Sequence, residues 1–517
     1  MRAANLPTLV PKLRTLFLAG TIASLVFNSF ATEVTRGPYL QMLSSNRVVL
    51  CWRTDTATDS RVRLGTQPGV FTAVTLDDVP KTDHELPLTN LQPGTRYFYA
   101  VGSSGGDLVS GADCHFTTAP VFPAPVRIWV MGDTRATIVR DDGDSRQDVR
   151  EAFLRFAQSR PADLCLNTGD LADNGFDHEL QQAFFDVYAG PLRTTPVFPC
   201  YGNHDLGTEG GQPYLNAFSL PMNGEMGGVP SGSERYYSFN RPGVHLVVLD
   251  CYGTNGIFTA ELDPAYRDRQ LAWLRADLET NTQPWLVAMF HSPPYSWGSH
   301  NSDWEWDMIT TRTYFVPLLE EFGVDLVLNG HSHNYERSCL LRGHFGHSST
   351  LTAAMKLDSG DGRPGSGGAY YKPAPQSGTV YAVMGCSGFL GPGVYGHPAM
   401  VYTANALGSL VVDIDRDVLR ARFLRDTGVV DDYFVIVKGS QPPAARITSA
   451  RIEGGQIHLT WETVEGFRYR VYRRPTLTTL REQVSEDLVA DGFQLRWSGL
   501  VGPGRATAFY EVETVAE

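Results

Sequence analysis

The sequence predicts an α/β domain in the middle of the chain, with an all-β domain at each end. Short apolar runs typical of buried strands alternate with stretches of helical periodicity in the middle, and several of these runs end directly in Asp, Asn or His. The pattern changes at two proline-rich stretches, residues 120–125 and 442–443, which indicate linkers. A chain of 517 residues has room for two or three domains.

The composition is that of an ordinary globular protein able to bury a large core. Hydrophobic residues make up 42% and charged residues 19% of the chain, and the formal net charge is -13. This charge disfavours general binding to nucleic acids or anionic membranes, so we predict no nucleic acid as a structural partner. An acidic protein can still bind phosphate where the site supplies its own cations, as a metal centre does.

Residues 1–31 are typical of a cleaved signal peptide. A basic start is followed by an apolar core at 16–27, and Ser29 and Ala31 supply the small residues expected before a cleavage site after Ala31. The core is shorter than the roughly 20 apolar residues that a membrane-spanning helix needs. We therefore predict a secreted or periplasmic protein without stable membrane insertion, with an uncleaved anchor as the alternative.

Residues 32–119 are predicted to form an all-β domain. Residues 48–52 are strand-like, and Trp52 is expected in the core. Residues 91–101 resemble the corner of fibronectin type III domains, where the hydroxyl of Tyr97 would bond back to the chain.

The cysteine count of seven leaves at least one thiol unpaired within the chain. Cys51 and Cys114 are candidates for a bridge in the first domain, although spacing alone cannot establish a pairing. Because no Cys-x-x-Cys pair occurs, the sequence gives little support to a structural zinc site.

The middle domain is assigned to residues 125–440. Helices are expected at 148–158 and 267–278, where apolar residues recur at helical spacing. Predicted strands occupy residues 126–131, 164–168, 197–201, 237–239, 245–250, 285–290, 324–329 and 379–384, with a closing hairpin around 426–437. Residues 444–517 are expected to form a small β-sandwich around Trp461, without recognisable chemistry. The terminal β-domains are candidates for glycan or protein contacts.

Chemistry-bearing residues stand where five of the predicted strands end. The last of these strands ends in Gly330, followed by His331-Ser332-His333, and glycine permits the sharp turn that would leave both imidazoles at the strand's carboxyl edge. A His-x-His pair alone also occurs by chance on surfaces. The other four strands end before Asp133, before Asp170, before the run Asn203-His204-Asp205, and at His291. Together these are the ligand types that a pair of divalent metals needs.

These blocks, in this order, resemble the calcineurin-like metallophosphoesterases. The run Tyr335-Glu336-Arg337 resembles the purple acid phosphatase branch, and residues 36–40 resemble the entry to the domain that precedes bacterial phosphatases of this type. The resemblance covers residues 126–438. It implies an α/β catalytic domain of two packed β-sheets flanked by helices, an α-β-β-α sandwich, with all-β sandwich domains at both ends.

The resemblance implies two divalent transition-metal ions, Fe, Zn or Mn, and no organic cofactor. Asp170 would bridge the ions. The first ion would take Asp133, Asp170 and His333, and the second would take Asp170, Asn203, His291 and His331. Water held in the open positions would have its pKa lowered toward 7, which gives a hydroxide nucleophile for attack on phosphorus.

Two further histidines gain roles from the resemblance. His204 would stabilise the transition state or protonate the leaving oxygen, and Asp205 could fix its tautomer. His300 matches a histidine at the substrate mouth, with a solvent-exposed loop residue as the alternative.

Two positions depart from the family pattern. Arg135 stands where the broader family has a histidine, and Asp173 stands where purple acid phosphatases have a tyrosine. Asp173 could coordinate the first ion directly or through water. Arg135 could contact the substrate phosphate with its fixed fork of donors, or form a structural salt bridge.

The sequence therefore predicts an enzyme, a secreted dinuclear-metal phosphoesterase that hydrolyses small phosphomonoesters in the manner of an acid phosphatase. A phosphodiesterase acting on nucleotides or lipid head groups is the alternative within the same chemistry. The alternative from another class is an extracellular binding protein with an inactive phosphatase core.

Overall fold

The computed structural model describes Met1 and residues 32–135, 139–140, 143–158, 160–253, 262–375, 377–492, 494–501 and 508–515. The predicted signal peptide, apart from Met1, lies outside these residues. Among the helices so described, none has both the length and the apolar character needed to cross a bilayer.

The N-terminal domain is a five-stranded sheet built around one long strand, β2. Its strands are β1 Val34–Gln41, β2 Val48–Gly65, β3 Ala73–Leu88, β4 Arg96–Ser103 and β5 Gly106–Thr117. The register of β2 shifts on both sides of Thr58, so its first part pairs with β1 and its last part with β4. Trp52 is buried in the core, and the Tyr97 hydroxyl accepts a hydrogen bond from the Gln92 N–H at 2.9 Å, as expected for the corner.

We expect His84 to make this domain less stable in acid. Its ring stacks on Trp52 and its two nitrogens contact the hydroxyls of Thr54 and Ser60, each at 2.9 Å. Burial, and then the charge of Lys81, lower the pKa of His84 to about 4. The unfolded chain binds this proton near pH 6.5, so the stability that neutral His84 contributes is complete above that pH and is lost as the pH falls toward 4.

We expect the free energy of unfolding to fall by up to about 1.4 kcal/mol per pH unit across this window through His84 alone. Urea unfolding of the wild type and of His84→Gln, at several values between pH 7.5 and 4.5, measures the effect. Glutamine can bond to both hydroxyls but does not titrate, so its curve should be flatter. Parallel curves for the two proteins would contradict the prediction.

The N-terminal domain docks on the middle domain through β1. Arg36 pairs with Asp177 at 2.9 Å, and the Tyr39 hydroxyl donates to the carbonyl of Ala217 at 2.6 Å. Cys51 also faces this interface, 3.9 Å from the Ser219 hydroxyl.

The candidate bridge between Cys51 and Cys114 does not form. Cys51 belongs to the core shared with the middle domain, whereas Cys114 lies in the core of the N-terminal domain itself. All seven cysteines are buried free thiols.

Two seven-stranded sheets form the middle domain. The strands of the chain from here to the second linker are β6 Val126–Met131, β7 Val139–Arg140, β8 Gly143–Asp144, β9 Leu164–Asn167, β10 Val197–Pro199, β11 Tyr237–Arg241, β12 Val244–Val248, β13 Trp285–Met289, β14 Leu326–Asn329, β15 Tyr335–Ser338, β16 Leu340–Leu341, β17 Lys356–Asp358, β18 Tyr370–Tyr371, β19 Val380–Met384, β20 Met400–Ala404, β21 Gly408–Asp415, β22 Val418–Arg425 and β23 Val430–Val437. The first sheet has the order β10-β9-β6-β21-β22-β23-β18, and the second has the order β11-β12-β13-β14-β19-β15-β20.

Parallel pairing brings the functional strands into line within each sheet. In the first sheet β6, β9 and β10 run parallel, and in the second β12, β13, β14 and β19 do. Aromatic stacking joins the two sheets: Phe198 lies on Phe239 with ring centroids 4.0 Å apart, and Tyr335 lies on Phe423 at 4.2 Å. The predicted fold class, two packed sheets with helices outside, is confirmed.

The helices cover the outside of the sheets. They are α1 Ser145–Phe156, α2 Asp177–Leu180, α3 Asp186–Leu192, α4 Gln212–Ala217, α5 Pro264–Thr280, α6 Trp306–Thr310 and α7 Val316–Glu321, and single π turns join α2 to α3 and α6 to α7. The helix predicted at 148–158 runs two residues past the end of α1, and the one predicted at 267–278 lies within α5. Asp144 caps α1, and Asp263 with Pro264 begins α5, which places both starts earlier than periodicity alone indicated.

The C-terminal domain is a small pair of sheets. Its strands are β24 Arg446–Glu453, β25 Gln456–Glu462, β26 Arg468–Arg474, β27 Glu482–Gln483, β28 Leu488–Val489, β29 Gln494–Leu500 and β30 Phe509–Val515. Trp461 is fully buried, as predicted. The Tyr469 hydroxyl accepts a hydrogen bond from the Val464 N–H, five residues earlier, so this domain repeats the corner of the N-terminal one.

Candidate metal centre

Five strands from the two sheets end around one site. Asp133 follows β6, Asp170 follows β9 and Asn203 follows β10 in the first sheet, while His291 follows β13 and His331 follows β14 in the second. Asp133, Asp170 and His331 adopt left-handed backbone angles, with φ of 52°, 55° and 67°. Each such residue costs about 1–3 kcal/mol, and strain of this kind concentrates at functional sites.

Two turns that carry ligands pass so close to neighbouring carboxylates that they require glycine. A Cβ atom at Gly202 would lie 2.1 Å from Asp170 Oδ1, and one at Gly330 would lie 2.5 Å from Asp133 Oδ2. Both positions therefore need glycine so that the turns can bring carboxylates against the neighbouring backbone.

Asp133, Asp170 and His333 form a first cluster of ligand atoms, all within 4.8 Å of one another and all buried. His333 Nε2 lies 3.5 Å from Asp133 Oδ1. The other oxygen, Asp133 Oδ2, accepts the His331 N–H at 3.0 Å, while Oδ1 is buried without a hydrogen-bond partner in the described chain. An orphaned buried carboxylate oxygen is costly, and a cation at this point would satisfy it.

A second cluster lies beside the first and shares Asp170. Asn203 Oδ1 is 3.1 Å from both His291 Nε2 and His331 Nδ1, and His291 Nε2 is 3.5 Å from Asp170 Oδ1. Ligands about 2.1 Å from one tetrahedral ion lie about 3.4 Å apart, so these spacings fit a single ion. His291 Nδ1 donates to the carbonyl of Thr168 at 2.7 Å, so Nε2, the nitrogen that faces Asn203, is the one that would ligate an ion.

The charge of the site also calls for cations. Burial disfavours the His291 imidazolium, but Asp170 and then Asp133 raise the pKa of His291 to about 9. Burial alone would raise the pKa of Asp170, yet His291 and Arg135 hold it below its usual range. The Asp170 carboxylate therefore stays ionised at neutral pH and attracts positive charge.

The two departures from the family pattern form one ion pair. Arg135 Nη1 donates to Asp173 Oδ1 at 2.7 Å, and Arg135 Nε donates to Asp170 Oδ2 at 3.2 Å. The guanidinium lies over the Phe389 ring at 4.8 Å, and the same ring lies 4.0 Å from that of His333. The Asp173 carboxylate is thus paired with Arg135 and belongs to neither cluster. Of the two roles considered for Arg135, substrate contact and a structural salt bridge, the structure shows the salt bridge.

Asp205 makes different contacts from those the resemblance implies. It was expected to fix the tautomer of His204, but His204 Nδ1 donates instead to the carbonyl of Asp173 at 2.6 Å. The Asp205 carboxylate accepts four backbone N–H groups at 2.9–3.1 Å, those of Asp170, Leu171, Ala172 and Gly202. It therefore ties the turn after β9 to the turn after β10. Burial, and then the Asp170 charge, raise its pKa to about 7.

His300 lies beside the second cluster, where it contacts Glu305, a carboxylate that the sequence analysis did not single out. Its ring is 3.8 Å from that of His331, and its Nδ1 contacts Glu305 Oε2 at 2.6 Å. Glu305 Oε2 and Asp307 Oδ2 each lie 3.5 Å from His331 Nε2, a nitrogen that has no hydrogen bond in the described chain. One ligand atom each from His300, Glu305 and His331 lies within 4.8 Å of the others, so these three residues form a further group that could hold a cation. Only the acidic character of residues 303–307 could have indicated this arrangement.

The run after His333 supports the turn rather than the ions. The Tyr335 hydroxyl and the Arg337 guanidinium bond to Asp432 on β23, and Glu336 contacts the Ser296 hydroxyl and the Trp297 N–H. Both loops around the second cluster are thereby anchored to buried charges.

Family comparisons agree with this geometry. Residues 126–335 match the family of calcineurin-like phosphoesterases, and residues 36–118 match the N-terminal domain of purple acid phosphatases. The chain contains a calcineurin-like phosphoesterase domain behind a purple acid phosphatase N-terminal domain. This confirms the resemblance stated from the strand-end motifs.

The curated relatives share 31% sequence identity with this chain or less. The chain is 31% identical over 279 residues to purple acid phosphatase 15 of Arabidopsis thaliana, covering 49% of each chain. It is 28% identical over 336 residues to the uncharacterized protein Rv2577 of Mycobacterium tuberculosis, covering 59% of this chain and 61% of that protein. The chain thus spans about half to three-fifths of these curated relatives.

Two solved structures share the fold. Purple acid phosphatase PPD1 from yellow lupin seeds has a TM-score of 0.59 at 18% identity, over 78% of this chain and 75% of that one. PhoD has a TM-score of 0.53 at 12% identity, over 78% of this chain and 90% of that one. At these identities the likeness concerns the fold alone.

Proposed function

We propose that the protein is a metal-dependent phosphoesterase that hydrolyses phosphomonoesters at a dinuclear centre outside the cytoplasm. The proposal rests on Asp170, which belongs to the cluster with Asp133 and His333 and also lies 3.5 Å from His291 of the Asn203 cluster, in a chain with a calcineurin-like phosphoesterase domain. The orphaned oxygen of Asp133 and the Asn203 to imidazole spacings of 3.1 Å fit bound ions.

Asp133, Asp170 and His333 would hold one ion, and Asp170, Asn203, His291 and His331 the other. A donor set of carboxylates, amide oxygen and imidazoles suits Fe, Zn or Mn. When bound, the ions would supply Lewis-acid polarisation of the phosphoryl group and lower the pKa of water.

The chain's own residues would orient the reaction. His204 has its Nδ1 proton committed to the Asp173 carbonyl, so its Nε2 is the nitrogen available to hold a proton for the leaving oxygen. Arg135 contributes a fixed positive charge beside Asp170, and its pair with Asp173 holds the guanidinium in place. His300, which Glu305 holds in place, would contact the substrate at the mouth of the site.

Metal analysis of the purified protein, combined with hydrolysis of 4-nitrophenyl phosphate and bis(4-nitrophenyl) phosphate, tests the function. Faster turnover of the monoester with two ions per chain is the expected result. Faster turnover of the diester would favour the phosphodiesterase alternative. A protein without bound metal or turnover would favour an extracellular binding role.

Export and domain boundaries are part of the same proposal. We assign residues 1–31 to the signal peptide, 32–119 to the N-terminal domain, 125–440 to the catalytic domain and 444–517 to the C-terminal domain. The N-terminal sequence of the exported protein is expected to begin at Thr32.

Iron loading gives a test of the Arg135–Asp173 pair. The purple colour of the resembled branch comes from charge transfer between a tyrosine phenolate and ferric iron, and here the phenolate position is Asp173. Tyr201 and Tyr335 flank ligand blocks, but their hydroxyls donate to the Gly211 carbonyl and to Asp432. We therefore expect the iron-loaded protein to be pale.

A double variant, Arg135→His with Asp173→Tyr, should gain the phenolate band, because it restores both family ligands and removes the guanidinium. Visible spectra of the iron-loaded wild type, the double variant and Asp173→Asn provide the comparison. An intense band in the wild type would mean that another tyrosine is a ligand.

A further inference from the structure

A hollow of about 370 Å³ opens beside the second cluster. One wall is formed by residues 297–301 together with Glu305, and the other by Pro392, Gly393 and Val394. His300 belongs to the first wall, and its ring centroid lies 3.8 Å from that of His331, so the hollow adjoins the position where the second ion would be held. We call this space the mouth hollow.

Close backbone contacts fix the shape of the mouth hollow. The Tyr395 N–H donates to the Trp297 carbonyl at 2.7 Å, and the Gly391 N–H donates to the His333 carbonyl at 3.0 Å. A Cβ atom at Gly393 would lie 2.8 Å from the Gly298 carbonyl carbon. The loop of residues 391–395 therefore seats directly on the loop that carries His300, and the space between their outer faces is preformed.

The walls carry apolar groups and one negative charge. Val394 is 83% exposed, and Pro392 is exposed beside it. Glu305 is the one acidic residue in the lining, and its oxygens accept from the Asn301 N–H and contact His300, each at 2.6 Å. The lining contains no lysine or arginine among the residues described. The Arg135 guanidinium is committed elsewhere, to Asp170 and Asp173.

We propose that the mouth hollow receives the ester group of the substrate and selects an uncharged group with an apolar face, such as an aryl group, over one that carries a second anion. The inference rests on the proposed function, because it takes the phosphate to sit at the ligand clusters. The volume is within the roughly 300–1,000 Å³ range of small-molecule pockets. An anionic ester group would lie beside the Glu305 carboxylate, and the described lining offers it no lysine or arginine to pair with.

The test measures binding of two matched, non-hydrolysable ligands to the metal-loaded protein by calorimetry. 4-Carbamoylphenylphosphonate and 4-carboxyphenylphosphonate have the same size and the same phosphonate, so the ratio of their dissociation constants isolates the charge of the ring substituent. We expect the neutral ligand to bind about two- to fivefold more tightly, the range for one partly exposed charge interaction.

Val394→Lys places a cation on the apolar wall without altering a proposed metal ligand. It should reduce or reverse the preference for the neutral phosphonate. Val489→Lys, at a site 59% exposed on β28 of the C-terminal domain, is the matched control and should leave the ratio unchanged. Equal affinities in the wild type, or an equal shift in both variants, would overturn the inference.

Turnover of 4-nitrophenyl phosphate separates the two proposals. A protein that keeps the neutral preference in binding but hydrolyses no ester would sink the proposed function and support the mouth hollow. A protein that hydrolyses the ester normally but binds both phosphonates equally would sink only the mouth hollow.

Discussion

Replacing Asp170 by asparagine is expected to remove bound metal and turnover together. Asp170 is shared by both ligand clusters and is almost wholly buried. Asparagine keeps the shape but loses the negative charge that would screen two neighbouring cations from each other. Changes to residues behind a metal ligand already cost about 10–100-fold in affinity or activity, so loss of the shared ligand should exceed about 100-fold.

Metal content by plasma emission spectrometry and turnover of 4-nitrophenyl phosphate measure the two losses in one preparation. Asp268→Asn, at a side chain 66% exposed on α5, controls for the change from carboxylate to amide and should resemble the wild type. Far-ultraviolet circular dichroism shows whether the variant remains folded. Retention of both ions at a near-normal rate would rule out Asp170 as the bridge.

Buried strands were predictable from sequence because their apolar runs reflect burial on both faces. The run 126–131 coincides with β6, and the run 285–290 exceeds β13 by one residue. The run 324–329 begins two residues before β14, and in this extra stretch the Asp325 carboxylate takes buried contacts from Lys372 and Lys438. Strand ends were less predictable, since tertiary contacts decide them.

Residues that act through long-range contacts could not be inferred. Glu305 reaches His300 and His331 only because the loop after β13 folds back over the turn after β14. The pairing of Arg135 with Asp173 was also hidden, although each residue was visible as a departure from the family. A sequence shows that a residue type has changed, but only the folded structure shows which residue pairs with the changed one.

His204→Ala is expected to slow hydrolysis by about 10²–10⁴-fold while both ions stay bound. The imidazole lies outside both clusters, so the substitution removes none of the proposed ligands. What the variant loses is the nitrogen whose orientation the Asp173 carbonyl fixes. Metal analysis should match the wild type, which distinguishes this variant from Asp170→Asn. His178→Ala, a histidine exposed at α2, is the control for removing an imidazole and should leave the rate near normal.

Comparing substrates with different leaving groups shows which of the two roles His204 has. A proton donor matters most when the leaving oxygen is strongly basic, so an alkyl phosphate should lose more rate than 4-nitrophenyl phosphate does. A group that only stabilises charge on the phosphoryl oxygens would cost both substrates the same factor. The ratio of the two rate losses in His204→Ala is therefore the deciding measurement. A larger loss for the alkyl ester assigns proton donation to His204, and equal losses exclude it.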